Sequence, residues 1–114
     1  MNLKDQVLSI EQIKELRELG FDVNKHSSLK SNGKQIIVQD DFYIGGAPLF
    51  PTMSIGDIIE VLPTEIDEFI LNINRKYVAY DNKTTTLFYA YRYRFIDSLF
   101  DCLVWCIKEK HIEL

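Results

Sequence analysis

The stretch that decides the fold is residues 68–92, EFILNINRKYVAYDNKTTTLFYAYR. Phe69, Leu71 and Ile73 alternate with their neighbours in the period-two pattern of a strand that buries one face. Two short polar segments then lead into two further strand patterns, Tyr77–Tyr80 and Thr85–Tyr91, which are rich in aromatic residues and threonine. Because loops this short join neighbouring antiparallel strands, the stretch predicts a three-stranded meander.

Three helices are predicted around the meander. The first spans residues 10–19 and begins at the capping residue Ser9, and the second begins at Ser54 and ends at about Leu62, before a proline. The third spans residues 95–110 and has the widest apolar face, so we expect it to cover the sheet.

The remaining segments predict little regular structure. Residues 22–35 are polar and rich in turn-forming residues, so they predict a loop, followed by a short strand at Gln35–Gln39. Residues 40–54 predict an irregular loop with room for one edge strand. The fold class expected is α+β, with a three- or four-stranded, mostly antiparallel sheet packed against the C-terminal helix and two shorter helices. We expect one domain over residues 1–114.

Composition narrows the classes of function. The chain has 114 residues, is 46% hydrophobic and 26% charged, and carries a net charge of −4, which argues against bulk attraction to nucleic acid or anionic lipid. No apolar run reaches the roughly 20 residues of a membrane span, and the first residues do not resemble a signal peptide. Two cysteines are too few for a secreted disulfide framework. We therefore expect a cytoplasmic protein with reduced thiols and no membrane association.

The residues that carry catalytic or metal chemistry are sparse. Cys102 and Cys106 share one helix face, but only the isolated residues His26 and His111 could join them as ligands, so core packing is the favoured interpretation. No phosphate-binding loop, dinucleotide fingerprint, zinc-protease motif or nucleophile elbow is present in the sequence. The expectation is a protein that is not an enzyme, with no catalytic residue, metal ligand or cofactor.

The meander offers the one candidate binding surface. Residues 69–94 carry five basic residues against one acidic residue, and these are interleaved with tyrosines. If the strand residues facing the helices are Phe69, Leu71, Ile73, Leu87, Tyr89 and Tyr91, then Tyr80, Phe88 and Arg92 lie on the open face. The candidate binding residues are then Tyr80, Phe88, Arg92, Arg75 and Lys76. One interpretation is that this surface binds single-stranded nucleic acid, because aromatic faces beside basic side chains stack single-stranded bases. The simpler interpretation is that tyrosine is common in strands and that the basic residues protect the exposed side of the sheet against aggregation.

Three stretches also carry a resemblance: LSIEQIKELRELGFDVNKHSSL at 8–29, PTMSIGDIIEVLP at 51–63 and FIDSLFDCLVWCIKE at 95–109. Their order and spacing resemble a group of short proteins encoded by phages and mobile elements of Bacteroides-type gut bacteria. In that group a capped helix leads through a loop to a Pro-Thr helix start, and a closing helix carries a Trp-Cys pair, here Trp105-Cys106. The resemblance implies a small accessory protein of a mobile element and transfers no catalytic or binding residue.

Together these observations favour a non-enzymatic accessory or interaction protein that binds another macromolecule. A protein partner or self-association is favoured, and an exposed aromatic face suits either. The alternative is a single-stranded nucleic-acid-binding module that uses the basic, aromatic segment 69–94.

Overall fold

The fold is α+β, and the computed structural model of the protein describes residues 3–27, 29–31, 36–38 and 50–114. Five helices are present in these ranges: α1 Leu3–Gln6, α2 Ile10–Glu18, α3 Val23–His26, α4 Ile55–Val61 and α5 Phe95–Lys108. Seven strands accompany them: β1 Leu29–Ser31, β2 Ile36–Val38, β3 Phe50–Thr52, β4 Glu65–Ile66, β5 Phe69–Asn74, β6 Tyr77–Asp81 and β7 Thr86–Tyr91.

The predicted meander is confirmed as three strands of a four-stranded antiparallel sheet in the order β4-β5-β6-β7. Its first two connections are two-residue turns that begin with Asp67 and Arg75, at φ 54° and 57°. A positive φ at the first turn residue matches the right-handed twist of the flanking strands. The short strand β4, which the sequence did not predict, extends the meander by one such hairpin.

Arg75→Gly is expected to raise the free energy of unfolding by about 0.5–1 kcal/mol. The left-handed conformation costs a residue with a Cβ about 1–2 kcal/mol, and glycine escapes that cost while losing more entropy on folding. Urea unfolding measures the change. The matched control is Lys76→Gly, because Lys76 follows in the same turn without a positive φ. That substitution is expected to destabilise the protein, and equal effects of the two would contradict the turn geometry.

A second antiparallel sheet, in the order β2-β1-β3, occupies part of the region predicted as loops. The loop prediction for residues 22–35 is wrong over α3 and β1, because Asp22 caps α3 by accepting a hydrogen bond from Lys25 N–H and Val23 is buried. The predicted strand at Gln35–Gln39 is confirmed over Ile36–Val38, and its two end residues lie outside the described residues. The edge strand allowed within residues 40–54 is β3, and residues 40–49 lie outside the described ranges.

The helix predictions from capping residues are confirmed. Ser9 and Ser54 each accept a hydrogen bond from the backbone three residues on, and each forms a reciprocal capping box. Helix α5 ends at Lys108, two residues before the predicted end. There Lys110 takes φ 62°, and His111 N–H donates to the Cys106 carbonyl, which is the bond that closes a Schellman motif.

Helix α5 lies at the centre of the core. It packs on β6 and β7 along one side and on α1 and α4 along the other. Its buried residues are Ile96, Ser98, Leu99, Phe100, Cys102, Leu103, Cys106 and Ile107. One face of the sheet is therefore closed by α5.

Candidate functional site

The register of the sheet sorts its side chains into two faces. Leu71 lies opposite Tyr80, and Tyr80 lies opposite Phe88, so these three side chains share one face. Tyr80 is fully buried, and the Phe88 ring stacks on Trp105 of α5 with their centroids 4.7 Å apart. The face that carries Tyr80 and Phe88 is therefore the core face.

The prediction that Tyr80 and Phe88 lie on the open face is wrong. Strand β7 reads TLFYAY, with apolar or aromatic side chains on both faces, so alternation alone does not decide which face is buried. Tertiary contacts determine which face of β7 is buried. The Tyr80 hydroxyl donates to the Pro63 carbonyl at 2.7 Å, and α5 presents Trp105 to Phe88. Neither contact is visible in the local pattern.

The buried end of Tyr80 belongs to a small polar group inside the core. Its hydroxyl lies 3.8 Å from the Cys106 Sγ, which donates to it, and both cysteines are buried free thiols. Burial, followed by the two nearby thiols, raises the pKa of Tyr80 far above its ordinary value. The hydrogen bond with Cys106, together with burial, likewise raises the pKa of Cys102. Cys102 is thus a protonated core thiol, in keeping with the packing role expected for it.

This environment makes stability sensitive to alkaline pH through Tyr80. The pKa of Tyr80 in the folded protein is raised above the ordinary value of 10.0. The contribution of Tyr80 to the free energy of unfolding is therefore fully present below pH 10.0 and is lost as the pH rises beyond that value. Between about pH 8 and about pH 11, wild type is expected to lose roughly 1.4 kcal/mol more unfolding free energy than Tyr80→Phe. Urea unfolding of both proteins at the two pH values measures this difference. Parallel losses would show that Tyr80 ionises as readily when folded as when unfolded.

The opposite face of the sheet is open and rich in tyrosine. Tyr77 lies opposite Tyr91 in the register, and Ala79 lies opposite Tyr89. The rings of Tyr77 and Tyr89 stack at 6.0 Å, and Tyr93 follows just beyond the end of β7. We call Tyr77, Tyr89, Tyr91 and Tyr93 the tyrosine face.

Most of the tyrosine face is accessible to solvent. Tyr89, Tyr91 and Tyr93 are 64%, 66% and 86% exposed. Two aliphatic side chains of the same sheet face, Ile70 and Leu87, are 58% and 40% exposed. Leu87, Tyr89 and Tyr91 are the residues that the sequence pattern assigned to the helix side. No signal within β7 corrects the assignment, because a small residue lies on each face of the sheet, Ala90 on the core face and Ala79 on the open face.

Two of the predicted basic residues lie beside the tyrosine face. Arg75 and Lys76 form the turn at the Tyr77 end of the sheet, and the Lys76 ammonium lies 4.5 Å from the centroid of the Tyr93 ring. Arg92 is placed differently. Its guanidinium donates to the Asp101 carboxylate on α5 at 2.8 Å, which turns it toward the helix side of the sheet. The structure thus keeps Arg75 and Lys76 with the aromatic surface and separates Arg92 from it.

The candidate metal ligands are dispersed among the described residues. His26 stacks on Phe21, and His111 packs on Trp105, each with ring centroids 4.9 Å apart. In the described ranges, no group of three or more His, Cys, Asp or Glu side chains is placed to hold a metal ion.

None of the helices in the described ranges is both long enough and apolar enough to cross a bilayer. Comparison of the chain with family models, with curated protein sequences and with solved structures finds no match.

Proposed function

We propose that this protein is a non-enzymatic interaction module that binds a protein partner through the tyrosine face. The observation that carries the proposal is the exposure of Tyr89, Tyr91 and Tyr93 on the same open sheet face as Ile70 and Leu87. Contiguous exposed apolar surface on a folded domain marks interaction sites, and tyrosine is enriched at the centre of protein interfaces.

The polar groups around the tyrosine face suit a protein partner. Asn72 and Asn74 project from β5 on the same side as Ile70, where their amides can pair with a partner's polar groups. The Arg75-Lys76 turn makes one end of the face basic, and Asp81 stands at the other end, opposite Ile70. A surface with an apolar centre and opposite charges at its two ends gives a partner a preferred orientation.

Single-stranded nucleic acid is the second candidate occupant. It is favoured by the Lys76 ammonium over the Tyr93 ring, beside Arg75, because basic side chains next to exposed aromatic faces suit stacked bases and phosphates. The net charge of −4 and the pairing of Arg92 with Asp101 weigh against it. The two occupants differ in salt dependence, since binding to phosphates weakens steeply as salt rises and apolar recognition does not.

Affinity capture from host-cell lysate, with and without nuclease, separates these candidates. The wild-type protein is compared with Tyr91→Ser and with Ile59→Ser, a matched control at an exposed apolar residue on α4. A protein that is retained after nuclease treatment by wild type and Ile59→Ser, and is lost with Tyr91→Ser, supports the proposal. Capture that disappears with nuclease supports the nucleic-acid candidate, and capture that Tyr91→Ser does not affect overturns both.

The resemblance in the sequence supplies a biological setting for the proposal. A small module with one aromatic binding face fits an accessory protein of a phage or mobile element, which would act by occupying a surface of another protein. The binding proposal rests on the exposed face and does not require that setting.

A further inference from the structure

We propose that the open face of the sheet is also the interface of a weak two-fold dimer, in which the open faces of two copies pack against each other with their strands antiparallel. This inference rests on the proposed function, because it uses the same exposed tyrosines. It goes further by naming a second copy of the chain as an occupant that competes with the protein partner.

The register arranges the open face in three rows across the strands. The middle row contains Asn72, Ala79 and Tyr89. The row on one side contains Asn74, Tyr77 and Tyr91. The row on the other side contains Glu65, Ile70, Asp81 and Thr86. Neighbouring rows are two residues apart along β5 and β6, or about 7 Å, so the middle row lies equally far from two rows of different chemistry.

One end of the open face is basic. The Arg75-Lys76 turn lies beyond the row that carries Tyr77, and Arg75 is exposed. Neither residue of this turn forms an ion pair within the described part of the chain. Arg92 and Arg94, by contrast, are each held by an aspartate of α5. Two positive charges at this end are therefore left for a partner.

The other end of the open face is acidic. Glu65 and Asp81 flank Ile70 in the register. The turns at this end, between β4 and β5 and between β6 and β7, add two carboxylates and one ammonium group: Asp67, Glu68 and Lys83. None of these charged side chains forms an ion pair with a described residue. This end therefore carries a net charge of −3, opposite in sign to the Arg75-Lys76 turn.

A two-fold axis that runs across the strands over the middle row makes the open face its own complement. Because the axis reverses the strand direction, the basic end of each copy lies over the acidic end of the other. Arg75 of one copy then faces the end that carries Glu65 and Asp81 in the second copy. An axis along the strands would instead place like charges over one another, so the charges select the first arrangement.

The sizes of the side chains follow the same symmetry. Tyr91, with Tyr93 beyond it, makes one end of β7 bulky, whereas Thr86 and Leu87 make the other end smaller. The axis places the bulky end of each copy over the smaller end of the other and brings Tyr89 against its own counterpart. Sheets that pack face to face lie about 10 Å apart, and large side chains opposite small ones fill that space.

A second copy is the occupant that these observations identify. An unrelated protein can bind a face with any arrangement of charge and shape, whereas a two-fold interface requires a face that is its own complement. The open face meets this requirement twice, in charge and in side-chain size.

The dimer is expected to be weak, with a dissociation constant of about 100 μM, because exposed charge pairs add little affinity. The monomer then prevails at the low micromolar concentrations at which a partner is captured. Binding of the protein partner displaces the second copy, since both occupy the same tyrosines.

Introduced cysteines test the position of the axis. In Asn72→Cys the new thiol lies in the middle row and meets its own counterpart, so a short bis-maleimide is expected to crosslink this variant at about 200 μM. Asn74→Cys is the matched control on the same strand and the same face, because its counterpart lies about 14 Å away along the strands. Crosslinking of Asn72→Cys is expected to be at least tenfold faster. Equal rates would overturn the proposal, and the native thiols of Cys102 and Cys106 are buried.

Sedimentation equilibrium between about 10 and about 500 μM measures the affinity, and circular dichroism confirms that each variant folds. Wild type is expected to approach twice the 13.4 kDa chain mass at the upper end of this range. Arg75→Glu and Asp81→Lys are each expected to weaken dimerisation about tenfold, because each places two like-charge pairs across the axis. The control Lys108→Glu, on the other side of the sheet, should not change the affinity.

An equimolar mixture of Arg75→Glu and Asp81→Lys restores opposite charges in both pairs and is expected to recover the wild-type affinity. A monomer at every concentration would overturn this inference, and so would a dimer that the mixture does not recover. Either result would leave the proposed function standing, because capture of a protein partner is measured on the monomer. Capture that Tyr91→Ser does not affect would overturn the proposed function, whatever the purified protein does alone.

Discussion

Tyr80→Ala is expected to lower the free energy of unfolding by about 3–5 kcal/mol, the range for deleting a fully buried large aromatic side chain. The side chain has no exposed surface, and its ring lies 5.9 Å from that of Trp105. Its removal would leave a cavity beside α5 and would deprive the Pro63 carbonyl of its hydrogen-bond donor. Urea unfolding, followed by circular dichroism, measures the change.

The control for this prediction lies on the other side of the same sheet. Tyr89→Ala removes an identical side chain that is 64% exposed, and is expected to change the free energy of unfolding by less than about 1 kcal/mol. A small effect of Tyr80→Ala, or a large effect of Tyr89→Ala, would mean that the two faces of the sheet are assigned the wrong way round.

The double variant Tyr89→Ser with Tyr91→Ser is expected to weaken binding of the captured protein partner by at least about 30-fold. These two rings lie on the open face of β7, and Tyr91 is opposite Tyr77 in the register. Both are largely exposed, and large aromatic side chains are where binding energy concentrates in protein interfaces. Isothermal titration calorimetry with the purified partner measures the affinity, with Ile59→Ser as the control. Because both side chains are exposed, the double variant should unfold within about 1 kcal/mol of wild type.

Tyr80→Phe provides a control variant on the core face of the sheet for the binding measurement. It is expected to cost about 1–2 kcal/mol of stability, because it removes only the hydroxyl that bonds the Pro63 carbonyl. Its partner affinity should equal that of wild type. Loss of binding on Tyr80→Phe, with normal folding, would contradict the assignment of Tyr80 to the core.

Local patterns in the sequence predicted the elements whose signals lie within a few residues. The capping residues Ser9 and Ser54 begin helices as expected, and the stretch 68–92 forms the predicted meander. Strand β1 was missed because its three residues are stabilised by pairing with β2 and β3 rather than by their own propensity. Helix α3 was missed because a single turn carries too little periodicity to be recognised.

The candidate site was predicted only in part, for a related reason. Segment 69–94 does carry the exposed aromatic surface, and Arg75 and Lys76 do lie beside it. Which tyrosines are exposed depends on the face that α5 covers, and that choice is made by contacts such as Phe88 with Trp105, distant in the sequence. A strand that is aromatic on both faces leaves this choice open until the covering helix is placed.

Hydroxyl-radical footprinting of the protein, alone and bound to its captured partner, tests the central claim most directly. Tyr89, Tyr91 and Tyr93 are expected to be oxidised readily in the free protein and protected in the complex, while Tyr80 stays unmodified in both. Equal oxidation of the three exposed tyrosines with and without partner would contradict the claim that the tyrosine face is the binding surface.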